Sequence, residues 1–478
     1  MGSPNFWLLL FGWFMLGALP VRGQDHQVFT IDDFYTQILQ HHPVAKQASL
    51  FSDAAKQELR IARGLLDPRV NSRVYRKELG GTNYFTLWDN TLRIPVWYGT
   101  DLKAGFERNT GFNVNGESFT PAAGLTYLGF SVPLGQGLII DARRATIRQA
   151  QLMGPLAEAE QAGLINKLLL QAGKDYADWM FTFHKRQLLE QGYELALFRF
   201  RAVKERVRQG DLSAIDSVEA KIEMQNRQVL VRQAQVEYQN ASLVVSNYLW
   251  TANNTPVEVT PDLVPSLAGL EEIVPTPEAL QKMAQTAQNN HPEILKGQIK
   301  LQQLDIERRL LTDNFKPRLN LDYNLIQRVF PLQGESFSQG FLANNYKFGA
   351  TLGFPVFMRT ERGKLQLNKV KIADLNYDLQ QAGREINNQI LAQYNEMQAL
   401  EEVLTLQKEI VANTEVMRVS EQKLFENGES SLFLINTREM NLINNQIKLY
   451  ELIAKQAQTH LTLQWAAGKV ERPVAMSE

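Results

Sequence analysis

The chain has 478 residues, with 50 basic against 51 acidic side chains, 44% hydrophobic content and no cysteine. The near-neutral balance gives no bulk attraction for nucleic acid or an anionic membrane surface, and the length alone would suggest about three domains of roughly 150 residues. Without cysteine there are no disulfides, thiolate nucleophiles, Cys-ligated zinc, iron–sulfur clusters or cysteine-linked lipid anchor.

Residues 6–19 are all apolar or glycine. That run is too short for a membrane span of about 20 residues but fits the apolar core of a secretory leader, assigned to 1–23 with cleavage expected before Gln24. No later stretch reaches 18 uninterrupted apolar residues, so any membrane crossing after the leader is expected to use β-strands.

An internal repeat organises the rest. His42-Pro43 recurs as His291-Pro292, and Pro68-Arg69-Val70-Asn71 recurs as Pro317-Arg318-Leu319-Asn320, both displaced by 249 positions. Leu128-Gly129-Phe130-Ser131-Val132-Pro133 matches Ala350-Thr351-Leu352-Gly353-Phe354-Pro355 in pattern, displaced by 222. The difference, 249 − 222 = 27, means that the first half carries 27 extra residues between its two prolines. A third echo pairs Gly210-x-x-Ser213 with Gly428-x-x-Ser431.

In chain order, the first half is read as a helix within 24–66, β-strands in 67–137 and a helical hairpin in 138–250. A proline-dense linker, 251–277, follows and is expected to be extended with a short strand. The second half repeats the order as helix 278–316, strands 317–358 and hairpin 359–468, leaving a tail at 469–478. The segments 141–209 and 361–427 carry apolar residues at alternating spacings of three and four, the seam of a coiled coil. Ile165, Leu169, Ala172, Tyr176 and Trp179 form one such run; Ile386, Ile390, Tyr394, Met397, Leu400 and Leu404 form another. Each helix would be about 100 Å long at 1.5 Å per residue, against which two shorter helices stack end to end. Gly210 and Gly428 suit helix ends that need φ > 0. Ser213 and Ser431 suit the caps of the returning helices.

Within the strand regions the period falls to two. Leu319, Leu321, Tyr323 and Leu325 alternate with Asn320, Asp322 and Asn324; Tyr346, Phe348, Ala350 and Leu352 alternate with Lys347, Gly349 and Thr351. Such an alternation of about ten residues suits a strand with one face to lipid and one to a watery lumen. Pro68, Pro133, Pro317 and Pro355 mark the expected barrel–helix junctions, and the 27 extra residues are expected to enlarge an external loop or hairpin. The polar stretch 333–344 reads as an exposed loop. About four strands per chain cannot close a barrel, because the smallest have eight, and an open edge in lipid is excluded by its unpaired backbone groups. Three copies would supply twelve.

Catalytic signals are missing. The six histidines show no metalloprotease spacing, and Gly135-x-Gly137 has no third glycine to complete a dinucleotide fingerprint. His41-His42 is read as a capping or solvent-facing feature. Arg143, Arg144 and Arg148 are expected on a solvated helix face, with lumen or headgroup contact as the alternative. No enzyme, metal or cofactor is expected.

The duplicated His-Pro helix start, the paired prolines and the Gly-x-x-Ser turns together resemble the TolC-like outer-membrane efflux proteins over essentially the whole chain beyond the leader. The resemblance implies a homotrimer with a 12-stranded barrel in outer-membrane lipid and a helical tunnel in the periplasm. It also implies that the tip meets a periplasmic adaptor and, through it, an inner-membrane pump. The tip positions it designates are Gly210, Leu212, Ser213 and Asp216 with Gly428, Ser431, Leu432 and Asn436. The family's aspartates after the second turn have no counterpart in 432–437. The expected function is a passive export duct; the competing readings are a trimeric structural or adhesive stalk on a barrel anchor, or a soluble periplasmic enzyme or binding protein.

Overall fold

The computed structural model describes residues 27–268, 274–327 and 345–469. The expected leader and its cleavage point, and the expected loop at 333–344, lie outside the described residues. The chain opens with β1 (Gln27–Phe29), α1 (Ile31–His41) and α2 (Pro43–Arg63). Strands β2 (Arg69–Leu79), β3 (Thr82–Pro95), β4 (Asp101–Thr110) and β5 (Leu125–Gly135) follow. Next come α3 (Ala142–Gln151), α4 (Met153–Gln209), α5 (Ala214–Ser246) and β6 (Leu263–Pro265). The second half holds α6 (Pro277–Asn290), α7 (Pro292–Asp313), β7 (Arg318–Gln327), β8 (Tyr346–Gly353), α8 (Arg359–Glu426) and α9 (Leu432–Ala466).

The two His-Pro pairs do the same local work. Proline is preorganised for the first helical position and needs no hydrogen-bond partner there. The histidine before it is extended and accepts a backbone N–H through Nδ1, from Val44 at 3.1 Å in the first half and from Glu293 at 3.2 Å in the second. Each helix expected as one piece in 24–66 and 278–316 is therefore two, broken at the pair. Burial lowers the pKa of both imidazoles; for His42 a hydrogen bond to the Asn247 backbone acts the other way. A neutral ring is the form that can accept the capping bond.

Helix α8, with 68 residues, is unbroken, and at 1.5 Å per residue it is about 100 Å long. Its partner in the first half is interrupted at Leu152, where α3 passes into α4. The apolar seams lie inside as their spacing requires. Leu169, Ala172, Tyr176 and Trp179 are fully buried against Phe34 and Ile38 of α1 and Val245 of α5. Ile390 and Met397 of α8 are buried with Leu463 of α9 and Ala287 of α6. In the lower half the helices lie in the order α5, α4, α9, α8; nearer the sheet the order is α2, α4, α7, α8. The linker supplies β6, which pairs in parallel with β1.

One antiparallel sheet has the order β2-β3-β4-β5-β7-β8. That is two strands more than the about four expected. The repeat places β2 opposite β7 and β5 opposite β8, so the 27 extra residues are the hairpin β3–β4. It is not an appendage to a loop but two full strands inserted into the sheet between β2 and β5. Pro68, Pro317 and Pro355 lie just outside the ends of β2, β7 and β8. Pro133 instead lies inside β5, opposite Asn320. It is tolerated there because the pairing of β5 with β4 ends at Ser131, leaving no partner for the missing N–H on that side.

Candidate functional site

The register of the sheet assigns every side chain to one of two faces. One row carries Val70, Leu92, Ala104, Leu128, Leu325 and Tyr346 in sequence across all six strands, and a second carries Ile94, Leu102, Phe130, Tyr323 and Phe348. These side chains include many of the large apolar groups left exposed, among them Val70, Leu128 and Phe348. The opposite face carries Arg73, Asp89, Thr91, Arg93, Lys103, Tyr127, Asp322 and Lys347. Its members are joined by Arg73–Asp89 at 3.2 Å and Lys103–Asp322 at 2.5 Å, and Thr91 and Tyr127 share a hydroxyl hydrogen bond of 2.6 Å. A sheet that is apolar on one exposed face and ionic on the other suits a wall between lipid and water.

A second cluster fastens the sheet to the helices. Asp141 caps α3 by accepting the Arg144 N–H at 2.9 Å. The buried Arg144 guanidinium donates to the carbonyls of Leu138, at 3.0 Å, and Gly137. Arg143 Nη1 donates to Asp101 Oδ1 at 2.7 Å, and Asp101 also takes Arg93 of β3. These arginines are therefore not a solvated face; they close the polar ends of strands and helix that meet here. Gly135 and Gly137 both have positive φ, +87° and +89°, and the Gly137 N–H donates to Asp313 at 2.7 Å. Residues 135–137 thus form a pinned corner.

At the other end of the helices lie the two Gly-x-x-Ser turns. Gly210 (φ +86°) and Gly428 (φ +79°) adopt the left-handed conformation that favours glycine. Ser213 and Asp216 form a reciprocal cap: the Ser213 N–H donates to Asp216 Oδ2 at 3.0 Å. Ser431 Oγ accepts the Leu434 N–H at 3.3 Å. Gly210, Ser213, Gly428 and Ser431 are exposed and Leu212, Asp216 and Leu432 half-buried. Asn436, designated with them from sequence, is buried within the bundle, where its Oδ1 accepts Arg199 Nη1 at 2.6 Å.

That bond belongs to a charged cluster the sequence reading missed. Glu439 of α9 accepts Arg199 of α4 at 2.9 and 2.5 Å and Arg227 of α5 at 3.1 Å. Arg227 also reaches Glu223 at 2.8 Å and the Gly192 carbonyl at 3.0 Å, and its Nη2 has no partner. Burial on its own would raise the Glu439 carboxyl, but the two guanidinium groups outweigh it and hold the carboxyl below the ordinary range. The signal was present: Arg227 sits seven residues from both Ala220 and Ala234, all buried on one face of α5. A charge at a core heptad position asks for a partner.

Among the described residues no group of side chains could hold a metal ion and no helix is long and apolar enough to cross a membrane.

Residues 283–469 match the model of a family described as outer membrane efflux protein. No curated protein matches the sequence. Solved structures with the same fold include the CmeC outer membrane channel of Campylobacter jejuni, 13% identical, covering 98% of this chain and 94% of that one with a TM-score of 0.64. The open state of the MtrE outer membrane channel of Neisseria gonorrhoeae is 12% identical over 92% of this chain and 89% of that one, TM-score 0.65. The outer membrane protein VceC of Vibrio cholerae is 14% identical over 92% and 97%, TM-score 0.62. The second half thus matches the outer membrane efflux protein family, and the fold of both halves is that of solved outer membrane channels.

Proposed function

We propose that three copies of this chain form a passive, water-filled duct from the periplasm through the outer membrane. The observation that carries the assembly is a pair of unpartnered heptad seams at opposite edges of the protomer. On α5, Ile215, Ile222, Val229, Val236 and Leu243 recur every seven residues and are all exposed. On α8, Val403, Ile410, Met417 and Leu424 do the same. Measured from the two turns, they fall into one antiparallel register: Ile215 opposite Leu424 of the partner subunit, Ile222 opposite Met417 of the partner subunit, and so on upward. Isolated exposed apolar residues need no explanation, but two matched stripes of this length ask for a partner.

The exposed turns at 210–216 and 428–432 are the surface offered to a periplasmic adaptor, which connects the duct to an inner-membrane pump. Energy comes from that pump. The adaptor opens the tip by binding its open form more tightly than its closed one.

The test is the mass of the detergent-purified protein followed by single-channel conductance in planar bilayers. A trimer that conducts, with conductance rising when the turns 210–216 and 428–432 are shortened, is the expected result. A trimer that never conducts, even with the turns removed, would be a solid stalk. A monomer that stays soluble without detergent would overturn the membrane assignment.

A further inference from the structure

We infer that the barrel of this protein has eighteen strands, six from each of three copies, closed by pairing β2 of one subunit with β8 of the next. The inference rests on the trimeric duct proposed above and adds the composition and width of its membrane wall.

The starting point is the place of the inserted hairpin. In the second half, β7 and β8 pair directly. Their counterparts β2 and β5 do not, because β3 and β4 stand between them with a continuous ladder on each side. The hairpin obeys the same division of faces as its neighbours: Leu92, Ile94, Leu102 and Ala104 continue the apolar rows, while Thr91, Arg93 and Lys103 continue the ionic face.

Three contacts on that ionic face tie the insertion to strands on both sides. Tyr127 of β5 lies across Gly105 of β4, where a Cβ would collide with its ring, and its hydroxyl meets Thr91 of β3 at 2.6 Å. Lys103 of β4 reaches over β5 to Asp322 of β7 at 2.5 Å, passing Gly129, which pairs with Lys103 and leaves the path open. Arg73 of β2 holds Asp89 of β3. At the periplasmic end, Asp101 at the start of β4 is bound by Arg143 of α3, so the hairpin is also anchored to the helices. Folding it outward would break both ladders and leave these charges unpaired.

The edges that remain are β2 and β8. β2 is exposed along all eleven residues and β8 along nearly all of its length. In lipid an unpaired edge is excluded, so each edge must find the other on a neighbouring copy. They are correctly placed: β2, α2 and α5 form one side of the protomer, and β8 and α8 form the other. The joint between strands therefore continues the joint between heptad seams.

The perimeters agree. Strands about 4.8 Å apart and tilted about 40° occupy roughly 6 Å each around a barrel, so eighteen make about 110 Å and twelve only about 75 Å. Four helices abreast in each of three copies, at about 9 Å each, also make about 110 Å. The corresponding diameters are about 36 Å for eighteen strands and about 24 Å for twelve.

Cysteine chemistry suits the test because the chain has no cysteine. Double variants combine Asn71→Cys or Arg73→Cys in β2 with Lys347→Cys, Gly349→Cys or Thr351→Cys in β8, made in the full chain and oxidised as detergent-purified trimers. A ladder of covalent dimers and trimers, absent from each single variant, is expected for at least one register. Intact trimers with no ladder in any of the six combinations would overturn the inference while leaving the duct in place. The second measurement removes residues 82–110, joining Gly81 to Gly111 so that β2 connects to β5 as β7 connects to β8. The largest polymer admitted at the outer mouth should shrink by about a third in diameter; an unchanged cut-off from a trimer would show that the hairpin is not in the wall. A monomeric mass would overturn the trimer and the barrel together.

Discussion

Glu439 stands between two guanidinium groups, that of Arg227 almost wholly buried and that of Arg199 mostly so. Its side chain and that of Arg227 are each almost wholly buried, 3% and 2% exposed. The pair gains little over an apolar substitute, because desolvation consumes much of the attraction. Breaking it is another matter. Glu439→Gln keeps the shape but leaves Arg199 and Arg227 without their shared anion, and should destabilise the helical part by about 3 kcal/mol. The expected reading is a lowered midpoint of thermal unfolding followed by circular dichroism at 222 nm. An unchanged midpoint would mean that water or a neighbouring carboxylate already serves the arginines. The pH dependence follows from the sign of the shift. The carboxyl is held below its unfolded value, so its contribution is full above about pH 4.5 and is lost as the pH falls through the folded value. Wild-type protein should therefore lose stability in that acid window, and the Gln variant should lose less.

The α5 and α8 seams assign a specific register to the subunit joint, and that register can be tested at single layers. Val229→Cys and Ile410→Cys stand in the same layer when α5 meets α8 of a neighbour, whereas Val229→Cys and Met417→Cys are one heptad, about 10 Å, out of step. The first pair should link subunits on mild oxidation and the second should not; the reverse preference would require a slipped joint. The buried seams at 165–179 and 386–404 could be read from the sequence because their three-and-four spacing persists over many turns, and so could the long helices that carry them. Strands β7 and β8 were equally plain, since Leu-x-Leu-x-Tyr-x-Leu and Tyr-x-Phe-x-Ala-x-Leu leave little choice. The inserted hairpin was harder. On β3, Phe85 and Leu87 fall out of phase with Trp88, Leu92 and Ile94, so that strand shows no clean alternation, although Leu102, Ala104 and Phe106 of β4 do alternate with Lys103, Gly105 and Glu107. Only the neighbouring rows, set by the ladder, reveal which face each residue joins. The clusters at Glu439 and Asp101 were hidden for a related reason: their members are far apart in sequence and meet only after α4, α5 and α9, or β3, β4 and α3, have packed. The turns were legible as turns, because Gly210 and Gly428 need φ > 0 and a serine follows three residues later. Asn436 was misplaced by proximity, being one turn too far along α9 to reach the surface.

On the scale of the whole molecule, two lengths determine the outline. Helix α8 spans about 100 Å. An eleven-residue strand at 3.3 Å per residue, tilted about 40°, adds about 28 Å along the same axis. The trimer should therefore be a tube about 130 Å long, whereas a compact globule of 54 kDa would measure about 50 Å across. Its width should hold nearly constant where strands pass into helices, because eighteen strands and twelve helices need the same perimeter. Electron microscopy of trimers in lipid nanodiscs reads both quantities at once. The disc should encircle one end of the tube, with about 100 Å of helix projecting from one side only. A tube of that length whose wall steps inward by about a third at the disc would indicate twelve strands. Helices projecting from both sides would contradict the sheet's position at one end of every long helix. The pinned corner at Asp101, Asp141, Arg143 and Arg144 explains why that junction should look the same in every particle: it joins the stiffest parts of the molecule through buried charges. The exposed glycine turns at the far end are held by fewer such contacts, Ser213 to Asp216 in one and Ser430 to Glu421 in the other, and variation between particles should concentrate there.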